Sequence, residues 1–236
     1  MREIKEIIHV YFMPGLAANP SIFEYIKLPE DQFEIHLLEW IIPGTNETLK
    51  DYALRMTRYI KHDNMVLIGV SFGGIVVQEM SKYINVSRLI IISSVKCREE
   101  LPRRMIFSAK TGFHKILPVS LLDYIDHFEK FAVNDFLKKR ARLYKKYLSV
   151  RNNKYLNWAI EHMVNWECEK PMKDIVHIHG DKDLVFPYKY IGDCITVKGG
   201  THIMIINRYR WFNKNLPEII LTGKLKEKKE KLNQVL

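Results

Sequence analysis

The chain has 236 residues, 47% of them hydrophobic, which suits one sizeable domain with a full apolar core. Its three cysteines, Cys97, Cys168 and Cys194, cannot all pair and have no metal-type spacing, so a reducing compartment is expected rather than a disulfide framework. The formal net charge is +10, yet no nucleic-acid motif accompanies it and no apolar run approaches the roughly 20 residues of a membrane span, so neither nucleic acid nor a membrane span is expected.

The N-terminal stretch MREIKEIIHVYFMPG sets charges before apolar residues, as a signal peptide does. Its apolar part is short, is interrupted by His9 and lacks a small-residue cleavage site. It reads instead as a first strand, residues 7–13, closed by Pro14-Gly15, and a cytoplasmic protein is expected. A second strand, 33–38, ends just before Trp40. Residues 48–61 place Leu49, Tyr52, Ala53, Met56, Tyr59 and Ile60 at helical spacing. Residues 65–70 form a third strand, 75–84 a buried helix, and 89–93 a fourth strand. Then the rhythm breaks. From 96 to 171 no strand pattern occurs, only charged and aromatic helical segments, of which VNDFLKKRARLYKKYL (133–148) is the strongest. Strands resume at 175–179 and 193–197, and a last helix covers 203–215 before a lysine-rich tail. Short strands without strict polar alternation suit burial on both faces. The expected fold is therefore α/β, a doubly wound, mainly parallel sheet of about six strands. Its core is 1–95 and 172–222, with a helical insertion at 96–171 and a basic tail at 223–236.

The stretch LIGVSFGGIV (67–76) sets a serine between two apolar runs. Gly69-Val70-Ser71-Phe72-Gly73 fits G-x-S-x-G, a pattern short enough to arise by chance. Its placement is more specific: a strand leads in and a helix leads out, as a nucleophile elbow requires. Glycines at 69 and 73 remove side chains that would collide in so sharp a turn. The Ser71 hydroxyl then stands above the carboxyl edge of the sheet, at the positive end of the new helix. A serine nucleophile needs a base, and the base an orienting acid. IVHIHGDKDLVFP (175–187) supplies acids after a strand, and VKGGTHIMII (197–206) supplies His202 after a Gly-Gly loop. The chain order Ser71, Asp183, His202 is that of one triad-bearing fold.

These residues resemble the α/β-hydrolase superfamily over nearly the whole chain: GVSFGG as elbow, HGDKDLVFP as acid loop, GGTH as histidine loop, and the 96–171 insertion as a lid. The resemblance implies catalytic Ser71, Asp183 and His202, with no metal and no organic cofactor. The second acid of the family pattern is the triad member, which maps to Asp183; Asp181 organises the turn and is the fallback. It also implies an oxyanion hole made by the N–H groups of Leu16 and Phe72. Pro14 stands where family members often carry histidine, and Gly15 lets substrate approach the backbone. Trp166 matches the family's tryptophan before the acid strand, while the two leading strands common in the family have no counterpart. Trp40, level with the active-site edge, either lines the acyl pocket or packs the core.

The implied substrate is a small carboxylic ester or thioester. Carbon–carbon bond hydrolysis or perhydrolysis with the same triad, and a catalytically silent binding protein, are the alternatives. His177-Ile178-His179-Gly180-Asp181 also reads H-x-H-x-D, the start of a metal-ligand cluster. Lys182 breaks that set, and the elbow would go unexplained. His9, His36, His62, His114, His127 and His162 show no comparable constellation and read as ordinary surface or core residues. The aromatics of the insertion, Phe107 and Tyr147 among them, read mainly as packing. Seventeen Lys or Arg face nine Asp or Glu between residues 96 and 173. Solvated helix faces account for such runs. Some α/β-hydrolases, however, use lid arginines to receive acyl groups on an acidic carrier. By that resemblance Arg103, Arg104, Lys139 and Arg140 are candidates for docking an acyl carrier protein.

Overall fold

Every residue of Met65–Val70 is buried. Met65 and Leu67 point into one apolar cluster, and Val66, Ile68 and Val70 into another. An unbroken apolar run is what a strand covered on both faces requires. In the computed structural model, which describes residues 6–112 and 146–226, this strand lies inside a six-stranded sheet. The strands are β1 (Ile8–Met13), β2 (Phe33–Leu37), β3 (Met65–Val70), β4 (Arg88–Ile92), β5 (Val176–Gly180) and β6 (Ile195–Val197). All pairings are parallel, in the order β2-β1-β3-β4-β5-β6.

Helices cover both faces. On one lie α1 (Leu49–Met56), α2 (Phe72–Met80) and α4 (Asn153–Val164), which bury Tyr52, Met56, Ile75 and Tyr155. Thr48 caps α1, its hydroxyl accepting the Asp51 N–H at 3.1 Å, and Asn152 caps α4 by accepting the Tyr155 N–H at 3.1 Å. The other face is covered by the turn Pro20–Phe23, α5 (Met204–Asn207) and α6 (Tyr209–Thr222), which bury Phe23, Met204, Phe212 and Leu216. The described part of the insertion between β4 and β5 holds the turn Arg98–Glu100, α3 (Arg103–Thr111) and α4. Most of the helix expected at 133–148 lies outside the described residues, with Lys139 and Arg140. No described helix is long and apolar enough to cross a membrane.

Two boundaries differ from expectation. Helix α2 begins at Phe72, directly after the serine, rather than at 75. The last helix is two: α5 ends at Asn207, and α6 runs on through Pro217 to Thr222. An interior proline costs about 3 kcal/mol. Leu216, Ile219 and Ile220 are all buried against the sheet, at about 1.5–3 kcal/mol each, so burial carries the helix past the proline.

The sheet order reverses at its centre: the chain leaves β1 toward β2 on one side, while β3 leads to β4 on the other. The crevice beyond the carboxyl ends of β1 and β3 is the topological switch point, where ligands bind in open α/β sheets. Pro14-Gly15-Leu16 and Ser71 are the residues that leave those two strand ends.

Candidate active site

Ser71 stands between β3 and α2 at φ 53°, ψ −121°. A side-chain-bearing residue held there stores about 1–3 kcal/mol of strain. The turn is so tight that a Cβ on Gly69 would overlap the Gly73 carbonyl, and one on Gly73 would overlap the Pro14 carbonyl. The G-x-S-x-G spacing is thus a packing requirement of this turn. The Ser71 N–H donates to Ile92 O at 2.9 Å, while its carbonyl accepts from Gly74 N–H at 2.9 Å and from Ser94 Oγ at 2.7 Å. Ser94, the second of two serines past the end of β4, carries no sequence signal for this role.

The acid and histidine loops meet back to back. A Cβ on Gly180 would overlap the Gly200 carbonyl, which accepts the Lys182 N–H at 2.9 Å. This contact brings His202 over Ser71. His202 Nε2 lies 3.0 Å from Ser71 Oγ, and His202 Nδ1 lies 2.8 Å from Asp183 Oδ2. Asp183 is buried, and its Oδ1 accepts the N–H groups of Val185 at 2.8 Å and Phe186 at 2.9 Å. Burial alone would raise its carboxyl. The bond to His202 and its charge, the Phe186 N–H and nearby His179 outweigh that and hold it below the usual carboxylate value. Asp181 does a different job: its Oδ1 accepts the Gly199 N–H at 2.6 Å and pins the histidine loop.

Phe72 N–H opens α2, and Leu16 N–H follows Gly15; neither has a partner among the described residues. Gly15 is packed on the serine, since a Cβ there would sit 3.4 Å from Ser71 Cβ. Trp40 reaches the same loop, its Nε1–H donating to Gly15 O at 2.9 Å. Its ring stacks on Phe72, with centroids 5.4 Å apart, and tilts against Tyr155 at 5.0 Å. Trp40 therefore packs the core and holds the loop with one side chain. A cavity of about 450 Å³ opens beyond it, between residues 43–48 and Lys154, Trp158 and His162 of α4; none of Ser71, Asp183 and His202 lines it.

No protein-family model and no curated protein matches the sequence. Solved structures do. A bromoperoxidase from Bacillus anthracis is 17% identical over 92% of both chains, with a TM-score of 0.65. An esterase from Exiguobacterium antarcticum is 18% identical over 92% of this chain and 93% of its own, with a TM-score of 0.63. The RedJ thioesterase of the prodiginine pathway in Streptomyces coelicolor is 11% identical over 88% of this chain and 84% of its own, with a TM-score of 0.55. The chain has the α/β-hydrolase fold.

Within that α/β-hydrolase fold the other motif residues are engaged elsewhere. His177 and His179 share one face of β5, as alternation requires, but they bond each other: His177 Nε2 is 3.1 Å from His179 Nδ1, and His179 Nε2 donates to Phe186 O at 2.9 Å. Burial, first among the causes, lowers both imidazoles, which keeps them neutral. With Asp181 turned to Gly199, the three side chains of H-x-H-x-D form no ligand group among the described residues. Trp166 Nε1–H donates to the buried Glu79 at 2.8 Å and ties the end of α4 to α2. Arg104 spends its guanidinium on the acid loop, with Nη2 donating to Leu184 O at 2.6 Å and Val185 O at 2.9 Å. Of the aromatics, Tyr147 is buried and Phe107 is exposed.

Proposed function

We propose that this chain is a serine hydrolase that cleaves small carboxylic esters or thioesters through an acyl-enzyme. The observation that carries the reading is the continuous bond chain from Ser71 Oγ through His202 to buried Asp183, at 3.0 and 2.8 Å. The Asp183 carboxylate takes the Nδ1–H of His202 and so leaves the Nε2 lone pair facing the serine hydroxyl. Ser71 Oγ attacks the substrate carbonyl carbon as its proton passes to His202 Nε2, and the imidazolium is stabilised by Asp183. The carbonyl oxygen becomes an oxyanion and accepts the N–H groups of Leu16 and Phe72. One such donor is worth about 3–4 kcal/mol of transition-state stabilisation. Collapse of the tetrahedral intermediate expels an alcohol or thiol, which takes the proton from Nε2. Water then repeats the sequence on the acyl-serine and releases the acid.

Trp40 acts on the oxyanion hole through the backbone. In a trans peptide the C=O and the following N–H point in opposite directions. An indole N–H that holds Gly15 O therefore aims Leu16 N–H the other way, which we assign as the direction of the oxyanion. The shared fold of the esterase and thioesterase above supports the substrate class. A fluorophosphonate probe tests the proposal: the wild-type chain labels and Ser71→Ala does not. Turnover of a graded panel of p-nitrophenyl esters and acyl thioesters then separates the two leaving groups. Absence of both labelling and turnover would make the chain a silent binding protein.

A further inference from the structure

Three histidines distant in sequence come together at the opposite end of the sheet. His9 is the second residue of β1, His36 lies on β2, and His62 precedes β3. The parallel register explains the meeting. His9 stands opposite Glu34 and Tyr11 opposite His36, so four side chains at period-two positions share one face. His62 then closes over them, its ring stacked on that of His9 with centroids 3.5 Å apart, so it turns out of the stack for its lone pair to meet a shared cation. One ring nitrogen from each histidine lies within 4.8 Å of the other two. Six residues of strand separate His9 from Gly15, roughly 20 Å, so the cluster is remote from Ser71.

The geometry points to a binding site for one zinc-class divalent cation, held by His9, His36 and His62 with Glu34 as fourth ligand. Distances carry the assignment. His9 Nδ1 and His36 Nε2 are 3.0 Å apart. Two nitrogens on a tetrahedral zinc, each 2.0–2.1 Å from the metal, stand about 3.3 Å apart, so the separation already fits once the shared proton leaves and both lone pairs turn to the cation. Glu34 has Oε2 at 3.3 Å from His9 Nδ1 and Oε1 at 3.8 Å from His36 Nε2, and its exposed side chain is free to turn inward. Tyr11 supplies the outer support that metal-binding imidazoles take. Its hydroxyl is 2.7 Å from His62 Nδ1 and is itself fixed by the Lys61 N–H at 3.0 Å. Metal binding selects the tautomer in which His62 Nδ1–H donates to that phenol and Nε2 presents its lone pair to the cation. The donor set of three imidazoles and one carboxylate suits zinc and leaves no open position, which makes the site structural. Bound there, the cation would join edge strand β2 to β1 and to the segment entering β3.

Titration of the chelator-treated full chain with zinc chloride, read by calorimetry, tests the site. The expected result is one cation per chain, with cobalt substitution giving the intense visible bands of a tetrahedral centre. Zinc at a hundredfold its Kd should raise the thermal midpoint by about 5–10 °C. His36→Gln should weaken binding by at least about 100-fold and Tyr11→Phe by about 10-fold. Glu34→Gln, at an exposed position that leaves the fold alone, should weaken it and change the cobalt spectrum. Fluorophosphonate labelling of Ser71 should be the same with and without zinc, which separates this site from the proposed catalytic one. Zinc affinity weaker than about 1 mM, or binding indifferent to both His36→Gln and Glu34→Gln, would return the cluster to a stacked, hydrogen-bonded edge of the sheet.

Discussion

Trp40→Phe isolates a single bond near the proposed chemistry. Phenylalanine keeps an aromatic face against Phe72 and Tyr155 but has no donor for Gly15 O, which the indole meets at 2.9 Å. Losing a neutral hydrogen bond costs about 1 kcal/mol, or about fivefold in rate if only the mean orientation of Leu16 N–H loosens. If the peptide turns away altogether, the loss is that of a whole oxyanion donor, about 10²–10³-fold. The Ala18 N–H still meets Gly15 O at 3.0 Å, so the expected fall in kcat lies near the lower bound, at about 5–10-fold, with KM within about twofold of wild type. Steady-state kinetics on a p-nitrophenyl ester measure both. A trifluoromethyl ketone, which forms the tetrahedral oxyanion, should lose affinity in step with kcat/KM, whereas a ground-state amide inhibitor should not. A loss that falls wholly on KM would make Trp40 a wall of the acyl pocket. Unchanged kcat would refute the coupling through the Gly15-Leu16 peptide.

Asp183→Asn should lower kcat by about 10⁴-fold, since an amide favours the wrong tautomer of His202. Asp181→Asn keeps an oxygen for the Gly199 N–H and should cost far less rate, with a stability loss of about 1 kcal/mol or less by urea unfolding, and a reversed ranking would mean the acids are misassigned. Ser71→Ala and Ser71→Gly should both be inactive, yet the glycine variant should be the more stable by about 1 kcal/mol, because φ 53° is strained for alanine. Equal urea midpoints would argue against strain in the elbow. Burial lowers His177 and His179, so the unfolded chain binds protons first as the pH drops. Stability should be full above the ordinary imidazole pKa of about 6.5 and fall below it, most visibly between about pH 6.5 and 5. His177→Gln should flatten that slope, and a urea midpoint constant over this range in the wild type would contradict the assignment.

The elbow was legible because its constraint is local. Gly69 answers to a clash within five residues, whereas Gly73 clears the Pro14 and Met13 carbonyls at the end of β1, and a strand must precede the turn and a helix follow. Asp183 and His202 were legible because each closes a short loop with its own glycines. Trp40 was half legible: its level on the sheet follows from the end of β2, but the bond to Gly15 joins residues 25 apart. Ser94 was not legible at all, since nothing in the Ser93-Ser94 pair after a strand marks it, and its partner is a carbonyl 23 residues away. The histidine cluster needs the pairing register. His9 and His36 look like ordinary core or surface residues until Tyr11 is known to face His36 and Glu34 to face His9. The last helix outran the expected end at 215 because the burial of Leu216, Ile219 and Ile220 carries it through Pro217.

Charge in the insertion illustrates the same limit and has a mechanical consequence. Counting Arg104 with its basic neighbours makes it a candidate for an acidic partner. In place, its guanidinium holds the carbonyls of Leu184 and Val185. The next N–H groups along, those of Val185 and Phe186, hold Asp183 Oδ1, and Asp183 Oδ2 holds His202. Helix α3 is thus joined to Asp183 by a short run of hydrogen bonds, each made to backbone or to a buried carboxylate. A guanidinium bond to a carbonyl is charge-assisted and stronger than a neutral one, so the 184–186 segment is braced on the side facing the insertion. The positive charge at Arg104 thus braces the segment that carries Asp183. A displacement of α3 on ligand entry would reach the imidazole through two residues of backbone.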